Sequence, residues 1–341
     1  MPFQERITPD LKEFVNNPYQ CTVGMGNHSV DIFSNSSEFI FGFENGALDY
    51  LDSFPGWNLQ FKTPSSPHKI YFNESTDDNG LHYSPENKTL FMHGAKEHFL
   101  SGQVLAYSGF WLMEEQRQRD SQFTMHSSAV ARNDRGLIMI GDEGAGKTSL
   151  MMKLAYDHGF SVASNDLTVL GYDASSQQAH IMDGTTKIRL RLASVQRNFP
   201  QLTNCFNPGS SESVWDQKVV VKPEDIGLRR LHTAVPLATA FSIYLDSDPS
   251  RNLNIERADD IHIRYKLYED MSRIIRGSAI SLFTNHSRIL GYLPSLDNEE
   301  IHNSRINFIE GLINNVGIWK ISGGNIDELA QEINRIFEGS N

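Results

Sequence analysis

The stretch Gly141-Asp142-Glu143-Gly144-Ala145-Gly146-Lys147-Thr148 has the residue types and spacing of G-x-x-x-x-G-K-[ST], a loop that wraps nucleotide phosphates. Each position has a physical task. Gly141, Gly144 and Gly146 can adopt positive φ and let the backbone approach an anion closely. The successive amides then form a concave nest where a helix begins and its dipole already favours negative charge. In such a loop Lys147 reaches the β- and γ-phosphates and the Thr148 hydroxyl ligates Mg²⁺. The expected nucleotide-binding set is Gly141, Asp142, Glu143, Gly144, Ala145, Gly146, Lys147, Thr148 and Ser149. A further chemical group follows: Phe160-Ser161-Val162-Ala163-Ser164-Asn165-Asp166 runs a short apolar strand into an acid. Close behind the loop's helix, Asp166 falls near the γ-phosphate, where it either binds Mg²⁺ or takes the proton of an acceptor hydroxyl. A capping Asp at a strand end is the competing structural reading.

These groups need a strand, a helix and a second strand to hold them. Gly136-Leu137-Ile138-Met139-Ile140, entered through the polar turn Arg132-Asn133-Asp134-Arg135, reads as a buried, parallel-type strand. Thr148 to His158 puts Leu150, Met151, Leu154 and Ala155 on one helical face and Ser149, Lys153 and Asp157 on the other, with Gly159 as C-terminal stop. In a βαβ unit the strand leading to Asp166 lies near the loop strand. Further strands are expected at Thr124–Ala131, Ser161–Ala163 and Thr168–Gly171, then, past an irregular middle, at Ala238–Leu245 and Gly317–Ile321. Helices are expected around Lys266–Arg273, Asn303–Leu312 and Ile326–Phe337. Such alternation predicts an α/β layered fold with a largely parallel or mixed sheet. Asp246-Ser247-Asp248 also follows an apolar strand, but Pro249-Ser250 comes at once and predicts a turn.

At 341 residues the chain has the length of two domains. The charged run Glu114–Asp120 divides a smaller N-terminal α/β module, 1–118, from a P-loop domain, 119–341. In the module, Val23–Phe33 and Glu38–Phe43 read as strands broken by Asn35-Ser36-Ser37. Lys69–Phe72 and Thr89–His93 read as short strands around the polar stretch Asn73–Asn87, and Ala95–Gln118 as one or two helices. Phe39, Phe41, Phe43, Trp57, Phe61, Tyr71 and Phe72 predict an aromatic core. No segment approaches the ~20 apolar residues of a membrane span, and the N-terminus lacks a basic-then-apolar leader, so no membrane partner is expected. Two cysteines, Cys21 and Cys205, give neither a disulfide framework nor metal spacing, which points to a reducing cytoplasm. A net charge of −12 argues against a nucleic-acid partner. Arg229-Arg230 and Lys218/Lys222 read as solvated basic spots.

Met125-His126-Ser127-Ser128-Ala129-Val130-Ala131, then the loop, then Ala163-Ser164-Asn165-Asp166, resembles the kinase domain of HPr kinase/phosphorylase and its relatives, which share a phosphoenolpyruvate-carboxykinase-like P-loop fold. The resemblance covers about 120–341. It is strong at 125–170 and loose after 185, where Gly184 to Arg191 and Val219 to Leu245 carry it. It implies that His126 matches a site histidine at a strand end, Lys147 the loop lysine, Thr148 the Mg²⁺-binding hydroxyl and Asp166 the catalytic acid/base. Asn165 stands where the family has the first of two acids, and Lys187-Ile188-Arg189 lacks the Glu and Gly of the family's Glu-Ile-Arg-Gly element. Those departures argue against HPr as substrate and bear on the second metal contact and on reverse phosphorolysis. His126 could equally be a packed histidine, and for Arg189 and Arg191 phosphate contact and plain exposure both stay open.

The expectation is an ATP- and Mg²⁺-dependent kinase that phosphorylates a hydroxyl. The resemblance implies a Ser/Thr of a small protein or peptide as acceptor, with the N-terminal module as the place for partner recognition and homo-oligomers common among its relatives. A small metabolite stays open as acceptor. A nucleotide-binding sensor or scaffold without efficient transfer, and an NTPase switch, are the competing functions.

Overall fold

A computed structural model describes residues 18–38, 40, 54–60, 65–75, 80–95, 103–173, 178–185, 187–207, 212–258, 261–277, 281–283 and 289–340. The chain divides into two units, Met1–Asp120 with Ser272–Glu299, and Ser121–Met271 with Glu300–Asn341.

In the first unit, Gly26-Asn27 turns the chain between β1 (Tyr19–Met25) and β2 (His28–Ser34). Gly26 takes φ 64°, and Met25 pairs with His28 across the turn. Val23–Phe33 is therefore a hairpin, not one strand. With β3 (Trp57–Gln60), β4 (Lys69–Glu74), β5 (Gly80–Ser84) and β6 (Thr89–Gly94) it forms a 6-stranded sheet in the order β3-β1-β2-β4-β6-β5. β5 lies inside the polar stretch read as loop, and it buries none of its residues fully, so no apolar alternation marks it. Residues 37, 38 and 40 are helical where a strand was expected. Ser34 Oγ accepts the Ser36 N–H (3.0 Å), a local bond that competes with further strand pairing. Residues 41–43, Phe39, Phe61 and 96–102 lie outside the described residues. Of the expected aromatic core, Tyr71 stacks on Phe33 (4.7 Å) and on Phe91 (5.6 Å), and Phe72 is fully buried.

Helix α1 (Gln103–Arg119) buries Phe110, Trp111, Leu112 and Met113, and with them Glu114, Glu115, Arg117 and Gln118. Buried charge needs partners. Glu115 has His68 Nε2 at 2.9 Å and Arg119 Nε at 2.5 Å, while Gln118 donates to Glu114 at 2.8 Å.

The second unit starts with a hairpin, β7 (Gln122–Arg132) and β8 (Arg135–Ile140), whose turn residues Asn133 and Asp134 both have positive φ (52° and 55°). There follow α2 (Lys147–His158), β9 (Ser161–Ser164), β10 (Leu167–Asp173), β11 (Gln178–Gly184), β12 (Ile188–Arg191), α3 (Leu192–Asn198) and β13 (Lys218–Val221). The middle read as irregular thus holds three strands and a short helix. Next come β14 (Val235–Leu245), β15 (Asn254–Arg257) and α4 (Ile261–Ser272). The segment grouped with the first unit carries the ribbon β16 (Ser281–Phe283) and β17 (Ile289–Tyr292). The chain closes with α5 (Glu299–Asn315), β18 (Gly317–Gly323) and α6 (Ile326–Gly339).

The large sheet runs β11-β10-β7-β8-β14-β18-β15, with β9 on β7. β14 is parallel to β8 and β18, whereas β7 is antiparallel to β8, so the sheet is mixed and the loop strand is parallel on one side only. The hairpin takes the other edge of β8, which moves β9 one strand further out, antiparallel on β7. β8 and β9 still point the same way, so their C-terminal ends open on the same side. Alternate residues of β8 face two cores. Leu137 and Met139 pack with Leu150, Leu154, Leu329 and Ile333 of α2 and α6, and Ile138 and Ile140 with Leu267, Met271, Phe308 and Leu312 of α4 and α5. This makes an α/β unit with helices on both sheet faces. No helix among the described residues is long and apolar enough to cross a membrane.

Candidate active site

The loop after β8 lies at the C-terminal ends of the parallel strands, where open α/β sheets bind ligands. Its shape is set by close packing. The Leu245 N–H at the end of β14 donates to Ala145 O (2.9 Å), and the Ala145 N–H to Asp142 O (3.1 Å). Gly146 caps α2 at φ 94°, and a Cβ there would come within 2.6 Å of Leu245 Cβ. Gly141 keeps ordinary φ, contrary to expectation. It is small because a Cβ would press to 2.9 Å on both Ala145 Cβ and Ile243 O. Asp142, Glu143 and Gly144 are exposed along the rim.

Lys147 is buried, with Nζ donating to Gly141 O (2.9 Å) and Asp142 O (3.1 Å). Burial pushes its pKa down. The charges of Asp166, Asp270 and Asp142 oppose that shift, and the charge of Lys266 adds to it. Lys266, on α4, reaches Asp142 Oδ1 at 2.5 Å and lowers the Asp142 pKa by hydrogen bond and charge. Neither Lys266 nor Asp270 carried a sequence signal, because only the packing of α4 beside the loop brings them there.

Asn165 and Asp166 sit between β9 and β10 and divide two tasks. Asn165 is buried. Its Oδ1 accepts from Thr148 Oγ1 (2.9 Å), its Nδ2 donates to Lys187 O (3.2 Å), and its N–H donates to Thr185 O (2.7 Å). Asp166 is 59 % exposed, with Oδ1 3.2 Å from His126 Nε2. The hydrogen bond from His126 holds its carboxyl below the usual range. Desolvation opposes this, and the charges of His126, Lys147 and Arg189 assist. Thr185 Oγ1 accepts the N–H groups of Asp166 (3.1 Å) and Leu167 (2.9 Å), and Ser128 Oγ donates to Asn165 O (2.6 Å).

His126, Lys147, Thr148 and Asp166 thus converge, with Asn165 and Thr185 as the pins. Ser149 does not join them: its Oγ pairs with Ser194 Oγ at 3.1 Å. Arg191 is exposed on β12. Asp246-Ser247-Asp248 forms the expected turn, with the Asp248 N–H on Asp246 Oδ1 (2.9 Å) and the Ser250 N–H on Asp248 Oδ1 (2.9 Å). Among the described residues no group of three or more His, Cys, Asp or Glu is arranged to hold a metal.

Neither a family model nor a curated protein matches the chain. A solved structure, that of the Hpr(Ser) kinase/phosphatase from Coxiella burnetii, is similar over 63% of this chain and 94% of that one, at 14% identity and a TM-score of 0.28. At that score the likeness decides neither fold family nor activity.

Proposed function

We propose that the protein is an ATP- and Mg²⁺-dependent phosphotransferase whose acceptor is a hydroxyl, a Ser or Thr of a small protein or peptide. The observation that carries the reading is the convergence of an ionised, partly exposed acid on the mouth of a glycine loop through one hydrogen-bonded frame. The residues fit the nucleotide and its metal. Gly141, Gly144 and Gly146 carry no side chain, so loop backbone can line a phosphate. Thr148 donates its proton to Asn165, which leaves its oxygen lone pairs to a cation. Mg²⁺ takes few protein ligands when phosphates supply the rest, and Thr148 and Asp166 suit that role. When bound, the metal neutralises charge on the phosphates.

Lys147, anchored on two carbonyls, can turn its ammonium to the β- and γ-phosphates without losing its place in the loop. Asp166 stays ionised at neutral pH and can accept the acceptor's hydroxyl proton as the new O–P bond forms and the bond to the leaving ADP breaks. His126 orients that carboxylate. Arg189, whose charge reaches Asp166, can offset charge on the transferring group.

The test is transfer of labelled phosphate from ATP to a panel of Ser- and Thr-containing peptides. Asp166→Asn is expected to lower transfer by about 100- to 10,000-fold with ATP binding retained. Lys147→Ala is expected to abolish the ATP-dependent stabilisation, about 2.7 kcal/mol at a hundredfold excess over Kd and read as a rise in Tm. ATP binding without transfer to any acceptor would leave a sensor, and steady ADP release without acceptor an NTPase switch.

A further inference from the structure

We infer that the exposed face of the β12–β13 ribbon docks an acidic peptide segment of the phosphate acceptor, an inference that rests on the phosphotransferase reading. The ribbon is antiparallel, with Ile188 opposite Val221, Arg189 opposite Val220, Leu190 opposite Val219 and Arg191 opposite Lys218. The two-residue period of a strand sorts these into faces. Ile188 and Leu190 are buried, and Val219 and Val221 pack on the same core. Arg189, Arg191, Lys218 and Val220 are left exposed on the other face. Beside them, in the turn that enters β13, Trp215 is 66% exposed.

The fold does not use Arg191 or Lys218. Among the described residues neither Arg191 nor Lys218 forms an ion pair. Elsewhere in the unit cations are engaged: Lys153 with Asp157 and Asp327, Arg264 with Glu310, Arg229 with Gly159 O. Asp216, in the same turn as Trp215, accepts from Ser213 Oγ (2.6 Å). Setting Arg191 directly opposite Lys218 places like charges across a strand pair, which costs stability unless an anion lies over them. In a chain of net charge −12 such a patch selects an acidic partner. The basic spot at Lys218, read from sequence as a solvated face, thereby gains a role.

Position gives the partner its register. The Lys187 carbonyl, just before β12, holds Asn165 Nδ2, and the charge of Arg189 is felt at Asp166. From Lys187 to Arg191 the strand spans about 13 Å. An extended segment lying on the ribbon with its hydroxyl at Asp166 therefore carries its acidic residues roughly four positions away. Trp215 and Val220 offer apolar contact beside the charges, the mix that protein interfaces favour. The nucleotide's phosphates have their own nest on a different element, so beyond the charge of Arg189 they do not need the ribbon.

The probe is a fluorescein-labelled peptide with one serine and a run of glutamates about four residues away, paired with its Glu-to-Gln counterpart, read by anisotropy on the full chain. The acidic peptide is expected to bind more tightly than the neutral one, and more weakly as salt rises. Arg191→Glu with Lys218→Glu is expected to weaken it at least tenfold while the ATP-dependent Tm shift is kept. Should the reversed pair fail to fold by circular dichroism, Arg191→Gln with Lys218→Gln replaces it, with an expected loss of several-fold. Equal binding of both peptides, equal binding by wild type and variant, or loss of the ATP shift instead of peptide binding overturns the inference. Failure of the phosphotransferase reading looks different: wild type binds the acidic peptide, binds ATP, and transfers nothing.

Discussion

Asp166 and Asn165 are neighbours with opposite environments, and the difference is chemical. A second carboxylate at 165 would accept from Thr148 but could not donate to Lys187 O. The amide does both, so Asn165 works as a cross-brace between the loop helix and β12. That leaves Asp166 as the acid at this turn, and His126 as its control. Because the hydrogen bond from His126 is the leading cause of the lowered Asp166 pKa, its removal should raise that pKa. The sign follows: a base with a depressed pKa stays ionised as pH falls, so activity persists to lower pH. In His126→Ala the acid limb of kcat/KM against pH should move to higher pH, with the alkaline plateau less affected than in Asp166→Asn. An unmoved acid limb would show that His126 only packs there. The sequence marked Asp166 by its place after an apolar strand and Asn165 by its type. It could not show that Asn165 is a brace, since its partners lie 17 and 22 residues away on other elements.

The strand, loop and helix around 141–148 were legible because glycines, a continuous apolar run and a 3.6-residue period all lie within one short window. The Gly159 stop has φ 70° and donates its N–H to Leu154 O, as its position implied. The closing helix was equally plain from its period; its cap was not read, and the structure shows Asn325 there, its side chain accepting from the N–H groups of Asp327 (2.9 Å) and Glu328 (3.4 Å). β5, β11, β12 and β13 were missed because they are short and polar on at least one face, and pairing with distant partners makes them strands. The sheet order was beyond local reading for the same reason: the Asn133-Asp134 turn decides that β7, not β9, flanks the loop strand. Thr185 follows from this. It stands just past β11, and its hydroxyl pins the turn that carries Asp166. Thr185→Val would leave two part-buried N–H groups without their acceptor, at a cost of about 1–3 kcal/mol each where water cannot replace the bond. Urea denaturation should show the loss, and transfer should fall with ATP affinity nearly kept, because the loop itself is untouched. Restored transfer in Thr185→Ser would tie the effect to the hydroxyl.

At the scale of the whole chain, the two units carry different kinds of charge. In the second, Asp166 stands at the site mouth, and Arg191 and Lys218 lie opposite each other on one ribbon without an ion pair among the described residues. The first buries charge inside α1, where it must serve stability. Burial alone would raise the pKa of Glu115. Hydrogen bonds from His68 and Arg119, with their charges, overcome it and hold the group at about 2, against 4.5 for a free side chain. Lys88 Nζ lies 3.6 Å from Oε1, the oxygen that Arg119 contacts. A carboxyl with a lowered folded pKa stabilises fully above its unfolded value, and that contribution disappears as pH falls through the folded one. For Glu115 the window is therefore from about 4.5 down to about 2. The full linkage is worth about 3.5 kcal/mol at most, since each tenfold change in acidity corresponds to about 1.4 kcal/mol. Buried Trp111, whose indole N–H donates to Pro294 O (3.1 Å), lies in the same unit, and with Trp215 and Trp319 replaced by Phe the emission reports on that unit. Denaturation followed by tryptophan emission should show wild type losing stability as pH falls from about 4.5 toward about 2. Glu115→Gln should be weaker at neutral pH and nearly flat over that range, since it has no proton to gain. A variant as pH-sensitive as wild type would move the acid response to another carboxylate and leave Glu115 as a packed, neutral group.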